Sequence, residues 1–244
     1  FYGTRGSTPV AAPDKVKYGG NTTCVRIDTP CLPEGQSLLV DAGTGIVPLA
    51  VDFFRDHGKA VTILQTHSHH DHTQGFALSP FPYMKGMPLT VYGPVEREKG
   101  PRQVYQALMQ PPFFPVDLKE VGSHVTFRDI GHPNGTILVI HPEGGRKVFT
   151  VEQFETLAND GRQMPFQNGR KFDLEECLVV RMHRSNHPEQ TISYRFEERS
   201  TGLVFVFVTD HENQDGIPTS FKAHLTGAHL LLAVAEAQRE VLEI

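Results

Sequence analysis

The segment His67 to His72 reads HSHHDH and concentrates side chains that readily bind metal ions. It follows an apolar run, Ala60 to Thr66, that is typical of a buried strand. Alternate residues of an extended chain lie on the same side, so His67 and His69 can present two imidazoles to one ion. The spacing therefore predicts a metal site at the end of this strand.

Asp71 and His72 complete the segment, and we expect them to turn back and hold a second, neighbouring ion. Imidazoles with a carboxylate suit Zn²⁺, while Mn²⁺ or Fe can use the same donors, because geometry and supply decide among them. His70 falls outside the alternate spacing, so we expect it to be exposed or to support the ligands without binding metal.

Two simpler interpretations of the HSHHDH segment are a histidine-rich surface loop and a structural zinc site. Structural zinc usually recruits cysteine and closes all four coordination positions. No cysteine lies near the segment. The pattern HxHxDH is also much more specific than a single HxH pair. A catalytic metal site is therefore the favoured interpretation.

The segment resembles the HxHxDH hallmark of the metallo-β-lactamase-fold hydrolases. Further segments look like motifs of the phosphodiesterase-like branch of that family, which is similar to ribonuclease Z, cyclic-nucleotide phosphodiesterases and the cyclic phosphodiesterase of phosphonate breakdown. They are GTRGSTP at Gly3 to Pro9, YGGNTTCV at Tyr18 to Val25, LLVDAGTGI at Leu38 to Ile46, THSHHDHTQGF at Thr66 to Phe76, SNHPEQTISYRF at Ser185 to Phe196 and VFVTDHE at Val206 to Glu212. The resemblance covers most of the chain and implies one α/β domain over residues 1–244, a four-layer αββα sandwich.

The resemblance also implies a division of the ligands between two divalent metal ions, with zinc the favoured metal. One ion would be held by His67, His69 and His187, the other by Asp71 and His72, and Asp210 would bridge the two. Taken alone, His187 reads as a turn histidine before proline, and Asp210 as an ordinary turn residue at a strand end. Only the surrounding motifs favour their assignment as ligands.

Three further residues are predicted to act near the metals. By resemblance, Asp41 in DAGTG supports the metal ligands through hydrogen bonds, although a turn aspartate before Gly43 is the competing interpretation. Asn21 and Thr22 follow two glycines, which allow close backbone approach, and are predicted to line the substrate at the rim.

One departure from the family pattern concerns the second metal. The family normally supplies a last ligand histidine near the C-terminus, and here no histidine follows His229. His224 and His229 lie in AHLTGAHLLLA, which favours packed histidines rather than ligands. Either the second site is incomplete or residues are missing between LLLA and AEAQREVLEI. We favour missing residues, because the other motifs match so densely.

The surrounding elements follow from apolar periodicity and turn residues. Strands are predicted at Cys24 to Ile27, Ser37 to Val40, Val61 to Leu64 and Leu203 to Val208, and helices at Ile46 to His57, Arg102 to Gln110, Val151 to Asn159 and Leu225 to Leu242. Their alternation indicates a layered α/β domain. The proline-rich stretch Ser79 to Pro115 favours a rigid ordered loop. The turn-rich stretch 131–173 indicates an insertion, which could be a lid, an interface arm or decoration.

Composition limits the possible partners. A net charge of -5 and a pI near 6.2 give little attraction for long polynucleotides, so nucleic acid is disfavoured as a substrate. Three cysteines without a CxxC pair favour a cytoplasmic location, and no apolar run approaches the ~20 residues that span a bilayer. A homo-oligomer remains open.

These observations favour a hydrolase that cleaves a small or cyclic phosphodiester with a metal-bound hydroxide. Asp71 is the predicted catalytic residue, since its carboxylate can orient the attacking hydroxide. His211 and Glu212 are weak candidates for the proton donor. One alternative is ribonuclease Z-like RNA processing, which would require a basic arm to bind RNA. The other is a non-catalytic binding module with an incomplete second metal site.

Overall fold

The computed structural model describes residues 1–161, 163–166, 169–212 and 216–234 of the chain. Two large β-sheets, of five and six strands, form its centre. Apolar side chains fill the space between the sheets, and helices pack on the outer face of each sheet. The described chain is therefore layered as helix, sheet, sheet and helix, which confirms the predicted α/β sandwich.

The strands, in chain order, are β1 Val25–Ile27, β2 Gln36–Val40, β3 Ala60–Leu64, β4 Pro88–Pro94, β5 His124–Ile130, β6 Thr136–His141, β7 Gly145–Thr150, β8 Gln163–Pro165, β9 Lys171–Asp173, β10 Leu178–Ser185, β11 Thr191–Glu198, β12 Leu203–Thr209 and β13 Leu230–Val234. The α-helices are α1 Ile46–Arg55, α2 His70–Thr73, α3 Gly75–Leu78, α4 Pro101–Leu108, α5 Val151–Asn159 and α6 Thr219–Leu225. No helix of the described ranges is long and apolar enough to cross a membrane.

The first sheet has the order β1-β2-β3-β4-β5 and is parallel from β2 onward. Strands β2 and β3 end side by side, since Val40 pairs with Leu64. The residues that follow these two strands are therefore delivered to the same edge of the sheet. Helix α1 covers the outer face of this sheet with Ile46, Leu49 and Phe53.

The second sheet has the order β13-β12-β11-β10-β6-β7, and only its β12–β13 pair is parallel. Strands β10 and β11 form a hairpin that pairs from Leu178 with Glu198 to Ser185 with Thr191. Residues 186–190 therefore form the connection between them. Helices α5 and α6 pack on the outer face of this sheet.

The interface between the sheets carries a direct link to the HSHHDH segment. The buried phenol of Tyr194 in β11 donates a hydrogen bond to the Gln65 carbonyl oxygen, 2.7 Å away. The His67 ring comes two residues after Gln65, so this bond fixes the chain just before the histidines.

Several predicted elements are confirmed, but three segments differ. Strand β4 was not predicted within Ser79 to Pro115, so the loop predicted there was wrong in that part, whereas the helix predicted at Arg102 to Gln110 is present as α4. Pro88 and Pro94 lie at the first and last positions of β4 and Pro101 at the start of α4, where a missing N–H is tolerated. Residues 131–173 supply β6 and β7 to the second sheet and α5 to its outer face.

The predicted helix Leu225 to Leu242 was also wrong in its described part. Helix α6 ends at Leu225, and Leu230–Val234 pairs in parallel with β12 as β13. Periodicity alone does not assign a short apolar run to a helix or a strand, because the same apolar side chains can be buried in either element. Residues 235–242 of the predicted helix lie outside the described residues.

Candidate metal centre

The candidate metal ligands come from both sheets. His67 and His69 follow β3 in the first sheet, His187 lies in the β10–β11 connection, and Asp210 follows β12 in the second sheet. One ligand atom from each of these four residues lies within 4.8 Å of the others. Side chains from three separate segments of the chain thus converge on one point.

The buried imidazoles in this cluster lack ordinary partners. His67 Nε2 and both ring nitrogens of His187 are buried and have no hydrogen-bond partner within the described chain. His67 Nε2 lies 3.0 Å from Asp210 Oδ2 but outside hydrogen-bond geometry. An unpaired buried polar atom costs about 1–3 kcal/mol, so convergent unpaired nitrogens fit a bound cation.

The donor set also fits zinc geometrically. Two ligands each about 2.0–2.1 Å from a tetrahedral zinc ion are separated from each other by about 3.3 Å. His72 Nε2 lies 3.3 Å from Asp71 Oδ2 and 3.7 Å from Asp210 Oδ2. Asp210 Oδ2 therefore lies beside both His67 and His72, the position expected of a bridging carboxylate.

Asp41 supports the candidate ligands through hydrogen bonds and is not one of the four convergent residues. Its carboxylate accepts hydrogen bonds from the Thr66 backbone N–H at 2.7 Å and from the Thr66 hydroxyl at 2.9 Å. The same carboxylate lies 2.7 Å from His72 Nδ1, and all three residues are fully buried. The Nδ1 contact orients the ring so that Nε2 faces the site.

The turn after β2 places Asp41 and brings the HSHHDH segment close. Asp41 has a φ of 62°, an uncommon left-handed conformation for a residue other than glycine. Gly43 follows, and a Cβ there would collide with the Asp71 carbonyl oxygen and the Thr22 hydroxyl. Glycine at this position therefore permits the close approach of the two loops.

The electrostatics of the cluster follow from burial and from neighbouring charges. Burial lowers the pKa of His72, but Asp41 and Asp71 outweigh it and raise the pKa to about 10. Burial raises the pKa of Asp71, yet His72 and the Ser7 N–H lower it to about 2. Burial raises the pKa of Asp210 as well, but the contacts with His67 and His72 lower it by more, so the pKa of Asp210 is lowered.

Other predicted site residues lie around this cluster. His70 is exposed and does not belong to the four-residue set. Thr22 is fully buried, and its hydroxyl accepts a hydrogen bond from the Thr44 N–H at 2.9 Å, so it positions a turn rather than lining a surface. Asn21 is partly exposed and accepts a hydrogen bond from Thr44 Oγ1 at 3.2 Å.

The histidines near the C-terminus lie outside the ligand set; His224 is packed as predicted, whereas the prediction of a packed His229 was wrong. His224 belongs to helix α6 and is buried, with Nε2 3.1 Å from Ser193 Oγ of β11. His229 is exposed, and its Nδ1 accepts a hydrogen bond from the Val204 N–H at 3.1 Å. Neither belongs to the four-residue ligand set.

Two contacts with the candidate ligands were not predicted from the sequence. The Ser7 N–H donates to Asp71 Oδ2 at 2.7 Å, from a residue with a φ of 61°. The Glu189 carboxylate lies 3.2 Å from His69 Nε2. Glu189 is two residues after His187, and this proximity to a candidate ligand was the available signal.

Comparisons with known proteins agree on the architecture. The chain is similar to the metallo-β-lactamase fold protein YhfI from Bacillus subtilis, with 16% identity over 94% of this chain and 68% of that one, and a TM-score of 0.51. It is similar to the short form of human tRNase Z (ELAC1), with 20% identity over 95% of this chain and 74% of that one, and a TM-score of 0.50. No family model and no curated protein sequence matches the chain. The layered sheets and these likenesses show that the chain has the metallo-β-lactamase fold.

Proposed function

We propose that this chain is a metal-dependent hydrolase that cleaves a small or cyclic phosphodiester. The observation that supports this most directly is the convergence of four ligand atoms from His67, His69, His187 and Asp210 within 4.8 Å. Asp71 and His72 lie next to Asp210 and offer ligands for a second ion. The donors are nitrogen and oxygen, which suits Zn²⁺ and accepts Mn²⁺ or Fe.

Two divalent ions supply positive charge for the phosphate oxygens and lower the pKa of water from about 15.7 towards about 7. The protein residues then orient what binds there. Asp71 is held by the Ser7 N–H and is placed to accept a hydrogen bond from the attacking water. Asp41 keeps His72 and the loop after β3 in place, so the ligands need little rearrangement.

A cleft beside the HSHHDH segment supports a small substrate. It has a volume of about 630 Å³ and is lined by residues that include Ser68 and His70 of the segment. Its far side is largely apolar, with Leu78, Leu108 and Phe114. Clefts of this size and polarity hold small organic molecules, and here the organic arm of a diester would occupy it.

RNA processing is the second candidate function. The fold likeness to a human tRNase Z favours it, whereas the net charge of -5 offers little attraction for a long phosphate backbone. A binding module without catalysis is the third. It would bind metal and a nucleotide and turn neither small diesters nor RNA over.

Steady-state kinetics on metal-loaded protein distinguish these functions. The substrates are a chromogenic phosphodiester, a panel of cyclic nucleotides and a transfer-RNA precursor, each measured at low and high salt. We expect turnover of at least one small diester with little salt dependence. Efficient, salt-sensitive cleavage of the precursor alone would establish RNA processing instead.

A further inference from the structure

Glu189 contacts two candidate ligands that the proposed function already uses. Its Oε2 atom lies 3.2 Å from His69 Nε2 and 3.5 Å from His187 Nε2. The side chain is 26% exposed and belongs to the connection between β10 and β11. One carboxylate oxygen is thus shared between histidines from opposite sheets.

These distances fit common coordination of one ion. Ligand atoms about 2.0–2.1 Å from a tetrahedral ion lie about 3.3 Å from one another. Both Glu189 distances, 3.2 and 3.5 Å, fall close to that separation. They match the 3.0 Å between His67 Nε2 and Asp210 Oδ2 in the same cluster. Glu189 therefore lies at ligand spacing from His69 and His187, although it stands outside the set of four whose ligand atoms all lie within 4.8 Å of one another.

A hydrogen bond from His187 does not explain the position of Glu189. His187 Nε2 is buried and has no hydrogen-bond partner within the described chain, although Glu189 Oε2 is 3.5 Å away. At 3.5 Å the carboxylate oxygen is too far from the ring nitrogen for a good hydrogen bond. An ion between the two atoms would satisfy both, because the lone pair of each would point at the metal.

Glu189 also faces the solvent side of the site. Together with Ser68, Glu96 and Lys99 it lines a cavity of about 190 Å³ that lies beside the HSHHDH segment. A ligand in this place can be exchanged for water or substrate without disturbing the buried histidines. Its negative charge, together with that of Asp210, also offsets the charge of a divalent ion.

We propose that Glu189 is a further ligand of the metal ion held by His69 and His187, at the coordination position that faces the cavity of about 190 Å³. This inference rests on the metal centre of the proposed function. A hard carboxylate oxygen at this position widens the range of accepted ions towards Mn²⁺ and Fe²⁺. It also gives the site an internal group that substrate must displace.

The experiment compares zinc affinity in Glu189→Gln, Glu189→Ala and the control Glu96→Gln. Glu96 lines the same cavity, and its substitution by glutamine makes the same change in net charge. Zinc dissociation constants are measured by competition with a chromophoric chelator. We expect Glu189→Gln to weaken zinc binding about tenfold or more, Glu189→Ala to weaken it at least as much, and Glu96→Gln to remain near the parent.

A second readout is the visible absorption spectrum of the Co²⁺-loaded proteins, whose intensity reports coordination number. We expect the spectrum to change in both Glu189 variants and to stay unchanged in Glu96→Gln. If the parent binds zinc and all variants share its affinity and its spectrum, Glu189 is not a ligand and the metal centre stands without it. If the parent binds no zinc, the proposed function itself is wrong, and this inference with it.

Discussion

At the scale of single residues, His72 shows how the site combines support and metal binding. Its Nδ1 lies 2.7 Å from Asp41, whereas its Nε2 lies 3.3 Å from Asp71. A carboxylate at one ring nitrogen fixes the ring orientation and leaves the other nitrogen to serve as a ligand. Residues that orient ligands can therefore be distinguished from residues that touch the metal, and substitutions at the two should behave differently.

Substitution of a ligand should be repairable by added metal. His187→Ala leaves two histidines and a carboxylate, which hold zinc weakly. We expect activity to fall at least tenfold at limiting metal and to recover in part with excess Zn²⁺ or Mn²⁺. Metal titration of activity measures this. Full activity without added metal would remove His187 from the ligand set.

Asp71→Asn should respond differently, because Asp71 is placed to orient water as well as metal. We expect kcat to fall much more than KM rises, and excess metal to restore little activity. His70→Ala is the comparison from the same loop; its exposed ring lines the cleft and is no metal ligand, so we expect metal content and kcat near those of the parent. A loss in His70→Ala equal to that in His187→Ala would mean that the ligands of this loop are assigned wrongly.

Asp210→Asn tests the bridging position. Asp210 Oδ2 lies 3.0 Å from His67 Nε2 and 3.7 Å from His72 Nε2, so one substitution should affect both ions. An amide carries no charge to offset two cations, and we expect the metal content to fall from two ions per chain and activity to fall with it. Elemental analysis of metal-replete protein gives the count, and a parent with one ion would exclude the two-ion arrangement.

At the scale of elements, the sequence predicts local features better than it predicts contacts between segments that are distant in the chain. The HSHHDH ligands could be predicted because strand alternation places His67 and His69 on one side. His187 and Asp210 could be assigned only by resemblance, since they reach the site through the pairing of β10, β11 and β12. The Glu189 contact depends on how two sheets pack, which no local pattern records. Strand β13 was missed because its apolar run also satisfies helical periodicity.

Helix α6 contains a histidine, His224, whose burial predicts that the fold is sensitive to acid. Burial of His224, with the nearby charges of His183 and Arg195, lowers its pKa to about 3. The unfolded chain takes up the proton first as the pH falls below about 6.5, so stability is lost from there down to about pH 3. Between these values we expect His224 to cost about 1.4 kcal/mol of unfolding free energy per pH unit.

Urea unfolding of His224→Gln at several pH values tests this expectation. The variant should lose stability less steeply between about pH 4 and 6 than the parent, whatever its stability at neutral pH. His132→Gln replaces an exposed histidine and should leave the slope as in the parent. Identical slopes in the parent and His224→Gln would show that another group governs the acid sensitivity of this region.

At the scale of the whole molecule, the metal centre joins the two sheets. The HSHHDH ligands belong to the first sheet, and His187 and Asp210 belong to the second. A bound ion would therefore resist separation of the two layers, in addition to the apolar core between them. The folded chain holds these ligands together and the unfolded chain does not, so metal binding must stabilise the fold.

Removal of the metal should lower the melting temperature without abolishing the fold. Free metal at a thousand times its dissociation constant stabilises by about 4 kcal/mol, which for a domain of this size corresponds to a shift on the order of 10 °C. Differential scanning fluorimetry with and without a chelator measures it, and re-added Zn²⁺ should restore the higher value. Asp210→Asn should gain less from zinc than the parent, because one of the two sheets then contributes a weaker ligand. A melting temperature that neither chelator nor zinc changes would mean that no ion links the sheets, and would contradict the metal centre from which the proposed function is argued.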